Sequence, residues 1–279
     1  MFGKHESLKD VNWANLVKHV PEPQLVRIFS HAKFIALVNW TMLTHMSAIW
    51  EKLLTRIAPK LKGGRRWLFI DLADPAKRSR EDIAAAIRLV VKFQKYFRVV
   101  LGLNLAESRQ VGEVFGFAPP DETYGTVTHH ASQLREKLKV DTVVIHPTHF
   151  AAAADACGST HVVGPFTLKP KITTGAGDHF NAGFGIGRLI GLDLAGSLQL
   201  GVATSGFYVR NAKSPDALSR SADEVGQASQ PVRVRRASLP AVSLRDLRFG
   251  HTTGTDACRT LTGWKPVPLC TPIHANRFG

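Results

Sequence analysis

The chain has 279 residues, 44% of them hydrophobic and 21% charged, a globular rather than a disordered composition. It contains no apolar run of the roughly 18 residues that cross a bilayer, and its first residues, MFGKHESLKDVNW, hold no apolar signal core. Cys157, Cys258 and Cys270 are too few and too scattered for a disulfide framework or a CxxC zinc site, so a cytoplasmic protein without membrane contact is expected. The net charge of +14 suits anionic substrates. Its basic residues are spread over solvated faces and part of the excess falls after residue 216, so nucleic acid is not an expected partner.

From about residue 10 to 212, short β-like runs alternate with longer helical patterns. KFIALVN (33–39), RWLFIDL (66–72), FRVVLGLN (97–104) and DTVVIHP (141–147) are continuous apolar runs, the pattern of strands covered on both faces. Helices are predicted between them at about 46–58, 80–95, 107–116 and 123–138. HVVGPFTLKPKI (161–172) reads as one or two short strands, followed by helices near 178–190 and 194–211. This alternation predicts an α/β fold, doubly wound, with a mainly parallel sheet and helices on both faces. Ligands of such a fold bind outside the carboxyl ends of the strands. Beyond Pro215 the chain is rich in Ser, Thr, Pro, Gly and Arg with little periodicity, so 1–216 is predicted to be the folded core and 217–279 an irregular, basic, disordered tail.

Two glycine clusters stand at the start of the penultimate helix. Gly183, Gly185 and Gly187 in GFGIG superficially match a dinucleotide fingerprint, but that motif needs a strand directly before it. Here a helix is already under way, so these glycines are read as sites of close helix packing. TTGAGD, residues 173–178, instead joins a β-like run to a helix. The amides of Gly175, Ala176 and Gly177 can there form an anion site at a helix N-terminus. Asp178 is open to two readings: an aspartate satisfying the first helical turn, or a base placed beside an anion hole, as phosphoryl transfer requires.

TTGAGDHFNAGF resembles the C-terminal signature DTxGAGDxFxxG of the ribokinase-like (pfkB) carbohydrate and nucleoside kinases, with Thr174, Gly175, Ala176, Gly177, Asp178, Phe180 and Gly183 matching. The resemblance implies that Asp178 is the catalytic base, that Gly175, Ala176 and Gly177 form the anion hole, and that Thr174 belongs to the nucleotide site. LNLAES is similar to the family's NxxE element, which implies that Asn104 and Glu107 lie near magnesium-bound phosphates. From the residues alone, Asn104 could instead cap a helix while Glu107 faces solvent. GSLQLGVATSGFYVRN resembles the helix that closes the nucleotide pocket, which implies adenine contacts at Gly201, Ala203 and Thr204. Asn39 is either a cleft residue or a strand-end cap.

The chain departs from the family pattern at three places. Ile172 replaces the aspartate that opens the signature and helps hold a monovalent cation, so potassium dependence is not expected. IHPTHFAAAAD stands where the family has a TxGxxG-like turn, which leaves His146 or Thr148 to meet a phosphate; His146 and His149 alone make a poor metal site. No counterpart of the family's N-terminal substrate-binding sheet and lid precedes VNWANLVKHV, so the core reads as N-terminally shortened. The expected function is ATP- and Mg²⁺-dependent phosphorylation of a sugar or nucleoside hydroxyl, by a chain that could be homodimeric. The alternative is a catalytically weak or inactive remnant that binds nucleotide and acts through a partner.

Overall fold

A computed structural model describes residues 5–215 of the chain. The predicted tail at 217–279, with Cys258 and Cys270, lies outside the described residues. The chain divides into two units, Met1–Arg220 and Ser221–Gly279, and every element named below belongs to the first.

Six strands form one sheet in chain order: β1 (Phe34–Leu37), β2 (Arg66–Asp71), β3 (Phe97–Leu103), β4 (Thr142–Ile145), β5 (Phe150–Asp155) and β6 (Gly158–Val163). β1 to β4 pair in parallel, while β5 and β6 add on as antiparallel strands. Eight α-helices accompany them among the described residues: α1 (Trp13–His19), α2 (Glu22–His31), α3 (Met46–Lys52), α4 (Arg80–Phe93), α5 (Leu105–Val114), α6 (Tyr124–Leu138), α7 (Ala176–Leu189) and α8 (Leu194–Asn211). Pro21, which caps the start of α2, separates it from α1. A π-helical stretch, Leu53–Ile57, prolongs α3 to the length the sequence pattern predicts.

Successive residues of the central strands feed two different cores. Leu68, Ile70, Val99, Leu101, Val143 and Ile145 face α3 to α6, whereas Trp67, Phe69, Val100 and Val144 face Phe180 and Phe184 of α7 and Leu198 of α8. This is why β2, β3 and β4 read as unbroken apolar runs: both faces are covered.

Three expectations change. FAAAAD, read as part of a loop after β4, is the buried strand β5, its alanines divided between the two cores. The strand expected at 161–172 ends at Val163, and 164–175 runs without regular structure into the glycine turn. Helix α7 starts at Ala176, two residues earlier than predicted, with Gly175 as its N-cap. The glycines of GFGIG are packing positions. A Cβ on Gly183 would stand 2.5 Å from Thr204 Oγ1 and 2.6 Å from the Leu200 carbonyl oxygen, and one on Gly185 would run into the Phe34 ring.

Candidate active site

The carboxyl ends of β2 and β4 meet the first turns of α7, through Asp71 with Asn181 and through His146 beside Gly177. Beside them lies a cleft of about 410 Å³ bounded by Asn104, His146, Thr148, the 164–173 segment, the α7 start and one side of α8. Thr173, Ala176 and Gly177 form its wall at the glycine turn. Gly175 has φ +88°, a left-handed conformation that glycine adopts without steric cost. The first amides of a helix have no intrahelical partner. Here the Ala176 N–H turns back to the Thr173 carbonyl at 3.1 Å. Ala176 therefore drops out of the expected 175–177 donor set, and the amides of Gly175, Gly177 and Asp178 stay uncommitted among the described residues. Asp178 is exposed, and among the described residues its carboxylate accepts no hydrogen bond. Thr174 is exposed, and its carbonyl accepts the Tyr208 hydroxyl proton at 3.0 Å.

Asn104 and Glu107 form a reciprocal capping box at the start of α5: Asn104 Oδ1 accepts the Glu107 N–H, and Glu107 Oε2 accepts the Asn104 N–H. Glu107 Oε1 accepts the Asp74 N–H at 2.8 Å. Glu107 is therefore buried, 4% exposed, and does not face solvent. Burial raises its carboxyl above the ordinary value of 4.5, against the two backbone donors that lower it. The Asp74 bond holds two consecutive left-handed residues, Ala73 (φ 58°) and Asp74 (φ 62°), at the end of β2. Asn104 borders the cleft and Glu107 lies behind it.

The helix that closes the cleft is α8, but in a different phase from the one read in the sequence. Val202, Ser205, Gly206 and Val209, at helical i, i+3, i+4 and i+7 spacing, line the space. Gly201 is buried against the Phe180 ring, Thr204 bonds the Leu200 carbonyl beside Gly183, and Ala203 is exposed. Gly201, Ala203 and Thr204 thus stand off the cleft. Asn39 follows β1 with φ 62° and does not border the cleft.

His146 sits at the end of β4 with its ring 4.7 Å from that of Phe180 and its Cε1 3.4 Å from where a Gly177 Cβ would be. Burial lowers its pKa to about 4, so it is neutral at pH 7. Its Nε2 has no hydrogen-bond partner among the described residues. His149 instead lies against Phe166, which borders the cleft, with the rings tilted by 36° and centroids 4.1 Å apart. Among the described residues no three His, Cys, Asp or Glu side chains could together hold a metal ion.

Sequence reasoning passes over four residues at this site. Asp71 ends β2 with its carboxyl raised above 3.8, chiefly by burial and in small part by the charge of Asp178. Asn181 bonds Asp71 from α7, while His179 and Tyr208 bond the glycine turn itself. A carboxylate closing the apolar run WLFI of β2 is the available signal for Asp71. The other three depend on contacts between elements.

A mainly parallel sheet with a glycine turn and aspartate-bearing helix start beside a cleft, at the strands' carboxyl ends, defines a ribokinase-like chain. Adenosine kinase from Sinorhizobium meliloti has this fold, at 17% identity and a TM-score of 0.53 over 73% of this chain and 57% of that one. Adenosine kinase from Trypanosoma brucei brucei gives 17% and 0.54 over 70% and 56%, and a putative sugar kinase from Clostridium perfringens 18% and 0.53 over 74% and 56%. Residues 1–223 match the prokaryotic ketohexokinase family, and the chain belongs to that family. A ketohexokinase of Haloferax volcanii is 27% identical over 209 residues, 75% of this chain and 54% of that protein. The chain spans about half the length of that curated relative.

Proposed function

We propose that the chain carries the nucleotide-binding and catalytic part of an ATP-dependent ketohexokinase. The observation that carries this reading is Asp178 in the first turn of α7, exposed and accepting no hydrogen bond, next to uncommitted amides at the mouth of the cleft. Membership of the prokaryotic ketohexokinase family supports a ketohexose as the acceptor. In this reading the ketohexose hydroxyl gives its proton to Asp178 as its oxygen attacks the γ-phosphorus of ATP. The bond from that phosphorus to the bridging oxygen breaks, and ADP leaves. The Gly175, Gly177 and Asp178 amides, with the positive end of the α7 dipole, hold the charge of the moving phosphoryl group. His146, neutral at pH 7, adds a polar edge beside Gly177 without adding charge.

Phosphoryl transfer from ATP uses magnesium to neutralise the phosphates. Each oxygen of Glu107 already accepts a backbone N–H and the side chain is buried, so Asn104 and Glu107 would act on magnesium through its phosphates or water rather than as direct ligands. Magnesium would enter with the nucleotide, held by phosphates and water.

The test is phosphotransfer from ATP across ketohexoses, aldoses and nucleosides, in wild type and Asp178→Asn. A kinase loses orders of magnitude in turnover on this substitution while ATP affinity changes little. Equal turnover of both forms removes Asp178 as the base. ATP binding without transfer to any acceptor supports the second reading, a nucleotide-binding chain that works through a partner.

A further inference from the structure

His179 follows Asp178 directly, and its ring lies flat on that of Tyr208 from α8, centroids 3.6 Å apart and planes 11° from parallel. Each ring also grips the glycine turn. The Tyr208 hydroxyl donates to the Thr174 carbonyl at 3.0 Å, and His179 Nδ1 lies 2.7 Å from the Gly175 carbonyl oxygen. A carbonyl oxygen only accepts, so Nδ1 carries the imidazole proton. Nε2 is then the acceptor, and the Ser214 hydroxyl donates to it at 2.9 Å. The tautomer is thus set from both sides of the ring.

We infer that His179 and Tyr208 are positioning residues, a clamp that aims the backbone amides of the glycine turn; the inference rests on the nucleotide-binding reading above. In a planar trans peptide the C=O and N–H point in opposite directions. Holding the Thr174 and Gly175 carbonyls against the two rings therefore turns the Gly175 and Ala176 N–H groups away from them. The Ala176 N–H then meets the Thr173 carbonyl and closes the turn that starts α7. Gly175 must be glycine here, because its φ is +88° and the Tyr208 hydroxyl stands 3.3 Å from where a Cβ would be. The segment just before the turn is tied to the same end of α8, where the Lys171 and Ile172 N–H groups donate to the Val209 carbonyl.

Residues 164–175 have no regular structure; the Gly175 carbonyl also accepts the His179 N–H at 3.1 Å where α7 begins, whereas the Thr174 carbonyl is held, among the described residues, by the Tyr208 hydroxyl alone. The clamp supplies that order before a ligand arrives, and preordered donors bind charge without a further entropic cost. Its benefit falls on a ligand whose charge reaches the turn, a nucleoside triphosphate, and not on the uncharged nucleoside.

Three substitutions test this in the full chain. Tyr208→Phe keeps the stack and deletes the hydroxyl. His179→Gln places an amide near the Nε2 position and gives up the side-chain bond to the Gly175 carbonyl, which keeps only the backbone N–H of residue 179. His179→Asn places an amide nitrogen near Nδ1 and keeps that bond. Calorimetry gives the Kd of a non-hydrolysable ATP analogue with magnesium and the Kd of adenosine. Tyr208→Phe and His179→Gln are expected to weaken the analogue about tenfold, the loss of one or two hydrogen bonds' worth of ordering. Adenosine is expected to hold within about twofold, since no donor it uses is moved, and His179→Asn to restore most of the analogue's affinity. The clamp is overturned if Tyr208→Phe and His179→Gln leave the ratio of the two affinities unchanged, whether both ligands weaken together or neither does. A wild-type chain that binds neither ligand overturns the nucleotide reading and the clamp with it.

Discussion

Asn181 donates from Nδ2 to Asp71 Oδ2 at 2.6 Å and so ties α7 to the carboxyl end of β2. Asn181 lies three residues, about one helical turn, beyond Asp178, on the same side of the helix. The bond therefore sets how the first turn of α7, with Asp178 and the glycine amides, stands over the sheet. The other Asp71 oxygen accepts the Ala73 N–H at 2.8 Å, so one half-buried carboxylate holds both the helix start and the left-handed turn after β2.

Replacing Asn181 by Ala leaves the half-buried Asp71 Oδ2 without its donor. A loss of about 1–3 kcal/mol in folding free energy is expected, the usual cost of an unmet buried polar group. It is read as a lower urea midpoint with an unchanged slope. If the tie also aims Asp178, turnover falls further than the remaining folded fraction explains. A midpoint equal to wild type would show that the bond contributes nothing.

The same carboxylate predicts a dependence on pH. Burial raises Asp71 above 3.8 and Glu107 above 4.5 in the folded chain. The native state thus holds protons that the unfolded chain has released. Their contribution to stability is fully present below those ordinary values and is lost as pH rises through the elevated folded ones. Urea midpoints measured upward from about pH 4 are expected to show this decline, superimposed on the other groups. In Asp71→Asn the decline should be smaller, because one of the two raised groups no longer titrates. An identical profile in the variant rules out Asp71 as a source.

Gly183→Ala tests the contact of α7 with α8. The added methyl would stand 2.6 Å from the Leu200 carbonyl oxygen, and backbone cannot swing aside as a side-chain tip can. A loss of about 1–3 kcal/mol is expected, as for other overpacked interiors. The preceding residue, Ala182, is exposed, so the demand for glycine belongs to the side of α7 that meets α8 and not to the whole helix. Thermal unfolding of Gly183→Ala at a temperature no lower than wild type would contradict the packing role of these glycines.

Much of this architecture is legible in the sequence, and the parts that are not share a physical cause. β2, β3 and β4 announce themselves because two-sided burial leaves little room for polar residues in them. β5 does not, because four successive alanines carry little strand preference and suit a helix equally well. They form a strand because sheet neighbours and α6 and α8 close in on small side chains. TTGAGD is legible as a turn feeding a helix, yet the Ala176 amide's return to Thr173 is a matter of backbone geometry that no spacing reveals. The pattern around Glu107 leaves it as either a ligand or a solvated residue. Its burial follows from Asp74, 33 residues earlier, whose N–H it accepts.

The phase of α8 gives the last prediction, because this helix carries small residues on both its faces and the sequence pattern does not say which one meets the ligand. Val209 borders the cleft and Ala203 is exposed. Val209→Trp places a large ring into a space of about 410 Å³, and is expected to weaken an ATP analogue by at least about tenfold through lost room. Ala203→Trp adds the same ring on a solvated face and should change that Kd by less than about twofold, as surface substitutions away from a site do. Calorimetric titration of the two variants checks it. Weakening by Ala203→Trp with none by Val209→Trp would move the nucleotide out of the cleft to the exposed side of α8 at Ala203.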